Sequence, residues 1–257
     1  MLDGLFAAAY ADSKTREGSQ SYSALEAIAL AQPPAPDAEA ALSKTSRMRL
    51  IAEIKRASPS RGDLAPIEDA AAQGLGYQLA GADAISVLTE RTGFKGSLED
   101  LSSVSRATNI PTLRKDFIST EYQLLEAKAN GAAMALLILS WLERDHYLRL
   151  KKFATELGLR VLVETHSAKE IEIAAESNAR LIGINTRDLV TFQTDIGLFE
   201  KLATMLPAEC TKIAESSVKS IADVRRYRDA GADCVLVGEA LVTGNYQELI
   251  PQIISVA

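Results

Sequence analysis

Eight short apolar runs recur along the chain, each followed by a stretch in which apolar and polar positions alternate at other spacings. The runs are Met48–Ile54, Ala84–Leu88, Ile110–Leu113, Ala133–Leu139, Arg160–Val163, Leu181–Ile184, Thr211–Ala214 and Cys234–Val237. At four to seven residues they suit strands buried on both faces and are too short for helices. Helical patterns lie between them, among them Ile67–Leu79, Tyr122–Ala129, Arg144–Leu157, Ala168–Glu176 and Ile221–Ala230. Gly81-Ala82, Gly131-Ala132 and Gly231-Ala232 stand just before strands, where glycine supplies the left-handed residue that ends a helix. Regular strand–helix alternation predicts a parallel sheet. Eight units of roughly 26 residues predict a closed barrel. An open doubly wound sheet would be expected to carry a glycine-rich dinucleotide loop after its first strand, and the sequence has none there. A helical region ending near Pro33-Pro34-Ala35-Pro36 precedes the first run. The expected organisation is a single α/β domain over residues 1–257: a (β/α)8 TIM barrel over 47–257, with an additional N-terminal helical extension over 1–46.

Composition narrows the function. Hydrophobic residues make up 47% of the 257 positions but aromatics only 5%, which indicates an aliphatic core of closely packed strands and helices. With 28 basic and 34 acidic residues the net charge is −6, which argues against a nucleic-acid groove or an anionic membrane surface. Any phosphate must therefore be bound locally. Cys210 and Cys234 make neither a disulfide framework nor a metal cluster and fit a reducing compartment. Two histidines, His146 and His166, leave a zinc site few ligands to draw on. The N-terminus lacks a basic start followed by an apolar core, and no apolar run reaches membrane-spanning length. The expectation is a soluble, cytoplasmic protein without a metal.

In a closed parallel barrel the chemistry sits at the C-terminal ends of the strands. At those ends stand Glu53 and Lys55, Lys115, Glu164, Asn185 with Arg187, Glu215 with Ser216, and Gly238. Residues two apart on a strand share a face, so Leu113 aligns with Lys115, Leu162 with Glu164, Gly183 with Asn185 and Ile213 with Glu215. The parity that fills the interior with aliphatics therefore aims these polar groups into the barrel mouth. Glu53 and Lys55 also share a face. Burying an acid beside a base is costly unless the two pair with each other, with a charged ligand, or with both. The lysines can donate protons or neutralise anions, the glutamates can accept protons, and Asn185 can orient a hydroxyl. Glu215-Ser216-Ser217-Val218 and Val237-Gly238-Glu239-Ala240 lead from the last two strands into helices, where backbone N–H groups form the usual barrel phosphate site. Each loop is equally consistent with an ordinary turn capped by serine.

Ile51-Ala-Glu-Ile-Lys-Arg-Ala-Ser-Pro-Ser-Arg-Gly62 resembles the signature of the indole-3-glycerol phosphate synthases of tryptophan biosynthesis. So do Pro111-Thr-Leu-Arg-Lys-Asp-Phe117, Leu162-Val-Glu-Thr-His166, Ile182-Gly-Ile-Asn-Thr-Arg-Asp-Leu189, Ala214-Glu-Ser216 and Leu236-Val-Gly-Glu239, in the family's order over nearly the whole chain. The first two motifs are specific, whereas Leu-Val-Gly-Glu alone would be weak. The resemblance implies a carboxy-lyase that converts 1-(2-carboxyphenylamino)-1-deoxyribulose 5-phosphate to indole-3-glycerol phosphate with loss of carbon dioxide and water. It implies Lys115 as general acid for ring closure and Glu164 as base for the dehydration. Lys55 would partner the substrate carboxylate and serve as a second proton source. Glu53 and Asn185 would hold the lysine and the sugar hydroxyls, and Glu215 would line the mouth. Ser58, Ser216 and the backbone near Gly238 would bind phosphate, with Ser217 and Glu239 beside them. Pro59, Phe94 and Phe117 resemble the apolar walls around the anthranilate ring. No metal or organic cofactor is implied. The expected partner is a small phosphorylated substrate, and the chain is expected to act as a monomer, association with other tryptophan-pathway enzymes being left open.

Three positions depart from the family pattern. Ser217 replaces a usual glycine beside the phosphate, Gly93 a common aromatic next to Phe94, and Thr186 a usual asparagine or serine. The first puts phosphate affinity in question, the second is expected to loosen the ring pocket, and the third is expected to matter least. His166 reads as a loop histidine, since the family assigns the base to the glutamate. Trp141 reads as packing under the loop after strand four. Arg187 reads as a brace for the Asp188 turn outside the catalytic set. Competing functions are a catalytically silent barrel binding a phosphorylated ligand, and another phosphosugar barrel enzyme such as phosphoribosylanthranilate isomerase.

Overall fold

The computed structural model describes residues 2–188 and 193–257; Leu189, the last residue of the fourth family motif, lies outside the described residues. The strands are β1 (Arg49–Ile54), β2 (Ala84–Leu88), β3 (Thr112–Lys115), β4 (Met134–Ile138), β5 (Arg160–Thr165), β6 (Leu181–Asn185), β7 (Thr211–Glu215) and β8 (Cys234–Val237). Each pairs in parallel with its neighbour in sequence, and β8 pairs with β1 to close an eight-stranded barrel. Flanking helices make it a (β/α)8 barrel. A small antiparallel hairpin, Ala57–Ser58 with Gly62–Asp63, follows β1.

Every apolar run of the sequence becomes a strand, but the boundaries shift toward the chemistry. The third run, expected at Ile110–Leu113, pairs over Thr112–Lys115. Pro111 has no N–H to give to a ladder, so regular pairing starts after it. Strands β5, β6 and β7 likewise run on to Thr165, Asn185 and Glu215, past the last aliphatic residue of each run. The helix expected from Ile67 begins at Ala70, because the Asp69 carboxylate accepts the Ala72 N–H and caps it there.

Alternation along the strands divides the core in two. Ile51, Ala84, Leu113, Met134, Leu136, Leu162, Leu181, Ile213, Cys234 and Leu236 fill the barrel interior. Their neighbours, among them Leu50, Ala52, Ile85, Val163, Ile182 and Val235, pack outward under the helices. The N-terminal helices close both ends. Helix α1 (Leu2–Ser19) buries Phe6 and Ala9 over the C-terminal mouth, and α3 (Ala38–Ala41) with Leu42 plugs the opposite end, where the Thr211 hydroxyl donates to the Leu42 carbonyl. Helix α2 (Tyr22–Leu30) connects them.

Helix α1 is fastened by a buried ion network. Arg16 forms a bidentate pair with Glu126 of α6 (Glu121–Ala129), whose carboxylate also takes an N–H from Arg114 at 3.1 Å. Arg114, wholly buried on β3, donates to Asp116 at 2.9 Å and to the Gln123 carbonyl at 2.6 Å. This network lies on the outer face of the strand whose last residue is Lys115.

Candidate active site

Five strand ends bring polar side chains, and a sixth its backbone at Gly238, to one cavity of about 330 Å³ at the C-terminal mouth, a volume suited to a small ligand. Glu53, Lys55, Lys115, Glu164, Asn185, Glu215, Ser216 and Gly238 line it, although they are spread over most of the sequence. Interior parity delivers them: Lys115, Glu164, Asn185 and Glu215 each stand two residues beyond an interior position of their own strand.

At the centre, the Lys115 ammonium donates to Glu164 Oε2 at 3.1 Å and lies 3.3 Å from Glu215 Oε2. Asn185 Nδ2 donates to the other Glu164 oxygen at 3.1 Å, while its Oδ1 accepts from the Ser216 hydroxyl at 2.8 Å and the Arg187 backbone N–H at 3.0 Å. Those opposed partners fix which way the amide faces. Across the cavity Lys55 pairs with Glu53 at 2.9 Å, and the Ser86 hydroxyl donates to the second Glu53 oxygen.

Glu164 and Glu215 are each 1% exposed, so their ionisation is set by neighbours and not by water. Burial raises Glu164, but Lys115, His166 and the Asn185 hydrogen bond overcome it and bring the carboxyl down to about 2. Glu215 moves the other way, to about 8, because burial is only partly offset by Lys115 and Glu164 adds like-charge repulsion. Burial alone would lower Lys115, yet Glu164, Glu215 and Glu53 hold its ammonium above the ordinary lysine range. One cation thus faces one carboxyl held low and one pushed high. The cluster offers a loaded ammonium donor and an ionised acceptor in one pocket, as proton transfer to and from a bound molecule requires.

Two glycines make room for the carboxylates. A Cβ on Gly183 would lie 2.0 Å from Glu215 Oε1, and one on Gly238 would lie 2.4 Å from Glu53 Oε1. Gly183→Ala is expected to push Glu215 off its place beside Lys115 and lower turnover roughly 10- to 100-fold, the cost of misplacing an active-site group. Its thermal unfolding should reflect only about 1–3 kcal/mol of overpacking. Steady-state kinetics beside a melting curve checks this, and unchanged kcat would refute it.

The apolar wall is built by Pro59, Phe94 and Phe117 with Leu2 and Leu5 of α1. The rings of Phe94 and Phe117 lie 6.1 Å apart, and Phe6 meets Phe117 edge-on at 5.2 Å. The same cavity is lined by Ser58, Ser216, Ser217, Gly238 and Glu239, together with Lys219 and Arg187. The buried Ser58 hydroxyl has no hydrogen-bond partner among the described residues, and so is free for a ligand. Glu239 lines the cavity but pairs with Arg61 at 2.8 Å.

The three departures have structural explanations. At Gly93 a Cβ would lie 3.1 Å from both Leu5 and Pro59, so α1 fills the place of the missing aromatic and the wall is not loosened. Ser217 does not crowd the cavity with a free hydroxyl, because its Oγ bonds Thr186 Oγ1 at 2.7 Å. Ser216 and Ser217 both adopt left-handed backbone, φ +69° and +64°, a conformation costing roughly 1–2 kcal/mol for a non-glycine residue. Thr186, expected to matter least, is buried and joins the Glu215 carbonyl, Ser217 and Tyr227 through one hydroxyl.

Trp141 packs against α1: it stacks on Phe6 at 3.8 Å and donates its indole N–H to Asp3. His166 does lie in the loop after β5, but its Nε2 is 3.5 Å from Glu164, a contact the sequence reading gave no role. Sequence reasoning missed Leu2, Leu5 and Lys219 as lining residues and set Arg187 aside. Leu2, Leu5, Phe6 and Ala9 do follow helical i, i+3, i+4, i+7 spacing, which signals a buried face without saying what it covers.

Comparison with known proteins yields a consistent picture. A family model described as "Indole-3-glycerol phosphate synthase" matches residues 2–252. A protein of that name from Leifsonia xyli subsp. xyli is 50% identical over 245 residues, covering 95% of this chain and 94% of the relative. One from Rhodococcus opacus is 49% identical over 95% of this chain and 90% of its own length, and one from Mycobacterium tuberculosis is 45% identical over 95% and 89%. Among solved structures, a thiamine phosphate pyrophosphorylase from Pyrococcus furiosus superposes with a TM-score of 0.61 at 14% identity, over 81% of this chain and 94% of that one. An N-acetylmannosamine-6-phosphate 2-epimerase from Clostridium perfringens gives 0.60 at 15% identity, over 79% and 91%. At such identities the two structures share the barrel fold alone.

Proposed function

Because the chain belongs to the indole-3-glycerol phosphate synthase family, we propose that its barrel mouth carries out the family's ring closure with Lys115 as general acid and Glu164 as general base. The activity follows from the family: a carboxy-lyase step of tryptophan biosynthesis acting on a phosphorylated small molecule. The silent barrel and the isomerase are not favoured. Among the described residues no helix is long and apolar enough to cross a membrane.

Ring closure puts an aromatic carbon of 1-(2-carboxyphenylamino)-1-deoxyribulose 5-phosphate onto its ketone, whose oxygen must gain a proton as it becomes a hydroxyl. Lys115 gives that proton; held ionised by Glu164, Glu215 and Glu53, it is loaded throughout the neutral range. Lys55 pairs with the substrate carboxylate, which leaves as carbon dioxide. Glu164 takes the proton lost in the dehydration, Lys55 supplies one to the departing hydroxyl, and Asn185 holds the sugar hydroxyls and the base. Glu53 keeps Lys55 in place. Ser58, Ser216, Ser217 and the backbone at Gly238 take the phosphate, and Pro59, Phe94 and Phe117 grip the ring. On this reading the enzyme works as a cytoplasmic monomer.

The observation that carries these roles is the meeting of Lys55, Lys115 and Glu164 around one cavity that also holds an apolar wall and a serine hydroxyl without a partner among the described residues. The test is appearance of indole-3-glycerol phosphate fluorescence from the carboxyphenylamino sugar. Glu164→Gln is expected to lower that rate about 10²- to 10⁴-fold. Full turnover by this variant would overturn the base assignment, and tight calorimetric binding without turnover by the unaltered protein would restore the silent barrel.

A further inference from the structure

The loop following β5 carries an imidazole that the reaction scheme leaves unused. His166 Nε2 lies 3.5 Å from Glu164 Oε1, and Nδ1 lies 3.5 Å from Glu170 Oε2 on the facing α8 (Ala168–Glu176). The Glu170 carboxylate is fixed beside the ring: the His166 backbone N–H donates to it at 2.8 Å, and the Ser167 hydroxyl donates to its other oxygen at 2.8 Å. Both ring nitrogens are buried, and neither has a hydrogen-bond partner within the described residues. A neutral imidazole between two carboxylates with no better partner is an acceptor waiting for a proton. The side chain does not line the cavity, and because both ring nitrogens are buried its outlet to water is Glu170, which faces Nδ1 and is itself 16% exposed, while Nε2 faces Glu164.

We propose that His166, oriented by Glu170, is a positioning residue that receives from Glu164 the proton taken up in the dehydration and releases it to solvent, so that the base is reset for the next turnover. The inference rests on Glu164 being the base. In the step, the C–H pair of the substrate becomes the new double bond, the hydroxyl leaves with its bonding pair and a lysine proton as water, and the abstracted proton sits on Glu164. That proton then passes to the Nε2 lone pair, giving an imidazolium whose Nδ1–H faces the Glu170 carboxylate. The 3.5 Å contacts of the resting site shorten for transfer, as catalytic hydrogen bonds commonly do once substrate is bound.

The relay requires a neutral ring, so protonating His166 stops it. The charged groups facing the imidazole are Glu164 on its own strand, Glu170 on α8 and Glu215 on β7, with Lys115 behind Glu164. Burial lowers the imidazole, but these three carboxylates prevail and raise it above the ordinary histidine range. The rate is therefore expected to fall as pH drops through a histidine titration lying above the usual one.

Because the chain has only two histidines, His146 and His166, their ring protons can be followed by NMR in the unaltered enzyme, with His166→Asn assigning the resonance by its disappearance. Steady-state turnover measured across pH includes the resetting of Glu164, which a single turnover does not require and so serves as the control that isolates the chemistry. The expected result is an acid limb that coincides with the His166 titration. In Glu170→Gln, limb and titration should both move to lower pH together; in His166→Asn the limb should be lost and the alkaline plateau should fall roughly 10²-fold, the low end for a placed proton acceptor. An acid limb that stays put in Glu170→Gln while the NMR titration moves, or wild-type rates in His166→Asn, would overturn the relay. Full activity in Glu164→Gln would instead remove the base itself, which separates the two failures.

Discussion

Replacing Lys115 by methionine is expected to lower turnover about 10²- to 10⁴-fold, or roughly 3–5.5 kcal/mol of barrier, with substrate affinity within about tenfold of the parent. The methionine keeps much of the lysine's length but cannot hand a proton to the ketone oxygen. It also strands Glu164 and Glu215, which share this cation at 3.1 and 3.3 Å. A pH dependence of stability follows from the sign of each shift. Glu164, held down to about 2, contributes stability that is present above the ordinary carboxyl range and lost as pH falls through that depressed value. Without Lys115 burial dominates, Glu164 rises, and the contribution disappears. The variant is thus expected to lose most stability near neutral pH and least in acid. Glu215, raised to about 8, contributes in the opposite sense: its stabilisation is present at low pH and is lost as pH climbs through that value. Lys115→Arg separates charge from proton transfer, since a guanidinium can pair with carboxylates but does not give up its proton. It should restore the melting temperature near neutral pH and leave turnover low. Product fluorescence and melts at several pH values read both effects, and a Lys115→Met protein retaining most of its turnover would refute the acid assignment.

Arg114→Leu should cost about 3–5 kcal/mol, the usual result of removing one partner from a buried ion pair. For a chain of this size that corresponds to a fall in Tm of roughly 6–20 °C. Arg114 is 0% exposed and gives N–H groups to Asp116, Glu126, Thr89 and the Gln123 carbonyl. Leucine fills much of the space but leaves Asp116 with the Thr89 hydroxyl and the Phe117 N–H and no cation. Glu126 keeps Arg16. Neutralising the stranded acid, with Asp116→Asn in the same chain, should recover part of the loss, because an uncharged amide is far cheaper to bury. Thermal melts of the single and double variants decide it. A single variant within 1 kcal/mol of the parent would show that the network contributes little.

These two lysine and arginine neighbours show what could be read in advance. Consecutive on β3, they point to opposite sides of the strand, and the alternation of Leu113 with Lys115 was enough to send Lys115 inward. The same parity located Glu164 and Glu215, each two places after an aliphatic residue of its own strand, and Asn185, four places after Leu181. Arg114, by contrast, lay inside a motif whose attention went to its neighbour; nothing in the linear pattern reveals that its partners are Asp116 and Glu126. His166 was legible as a residue type two positions past a glutamate and was assigned to the loop. Its partner Glu170 enters only through the turn that folds α8 back beside the strand.

The sequence by itself determined the eight strand–helix units, the inward parity of the acid and the base, and the motifs that place the chain in its family, since these depend on residues a few positions apart and on local backbone geometry. Tertiary structure decided what covers the mouth, how one ammonium divides its charge between Glu164 and Glu215, and why Gly93 leaves no gap. Those outcomes depend on groups far apart in the chain: Leu5 against Gly93, Phe6 against Trp141, Arg16 against Glu126. Burial and charge act through distance in space, and only the closed barrel fixes those distances.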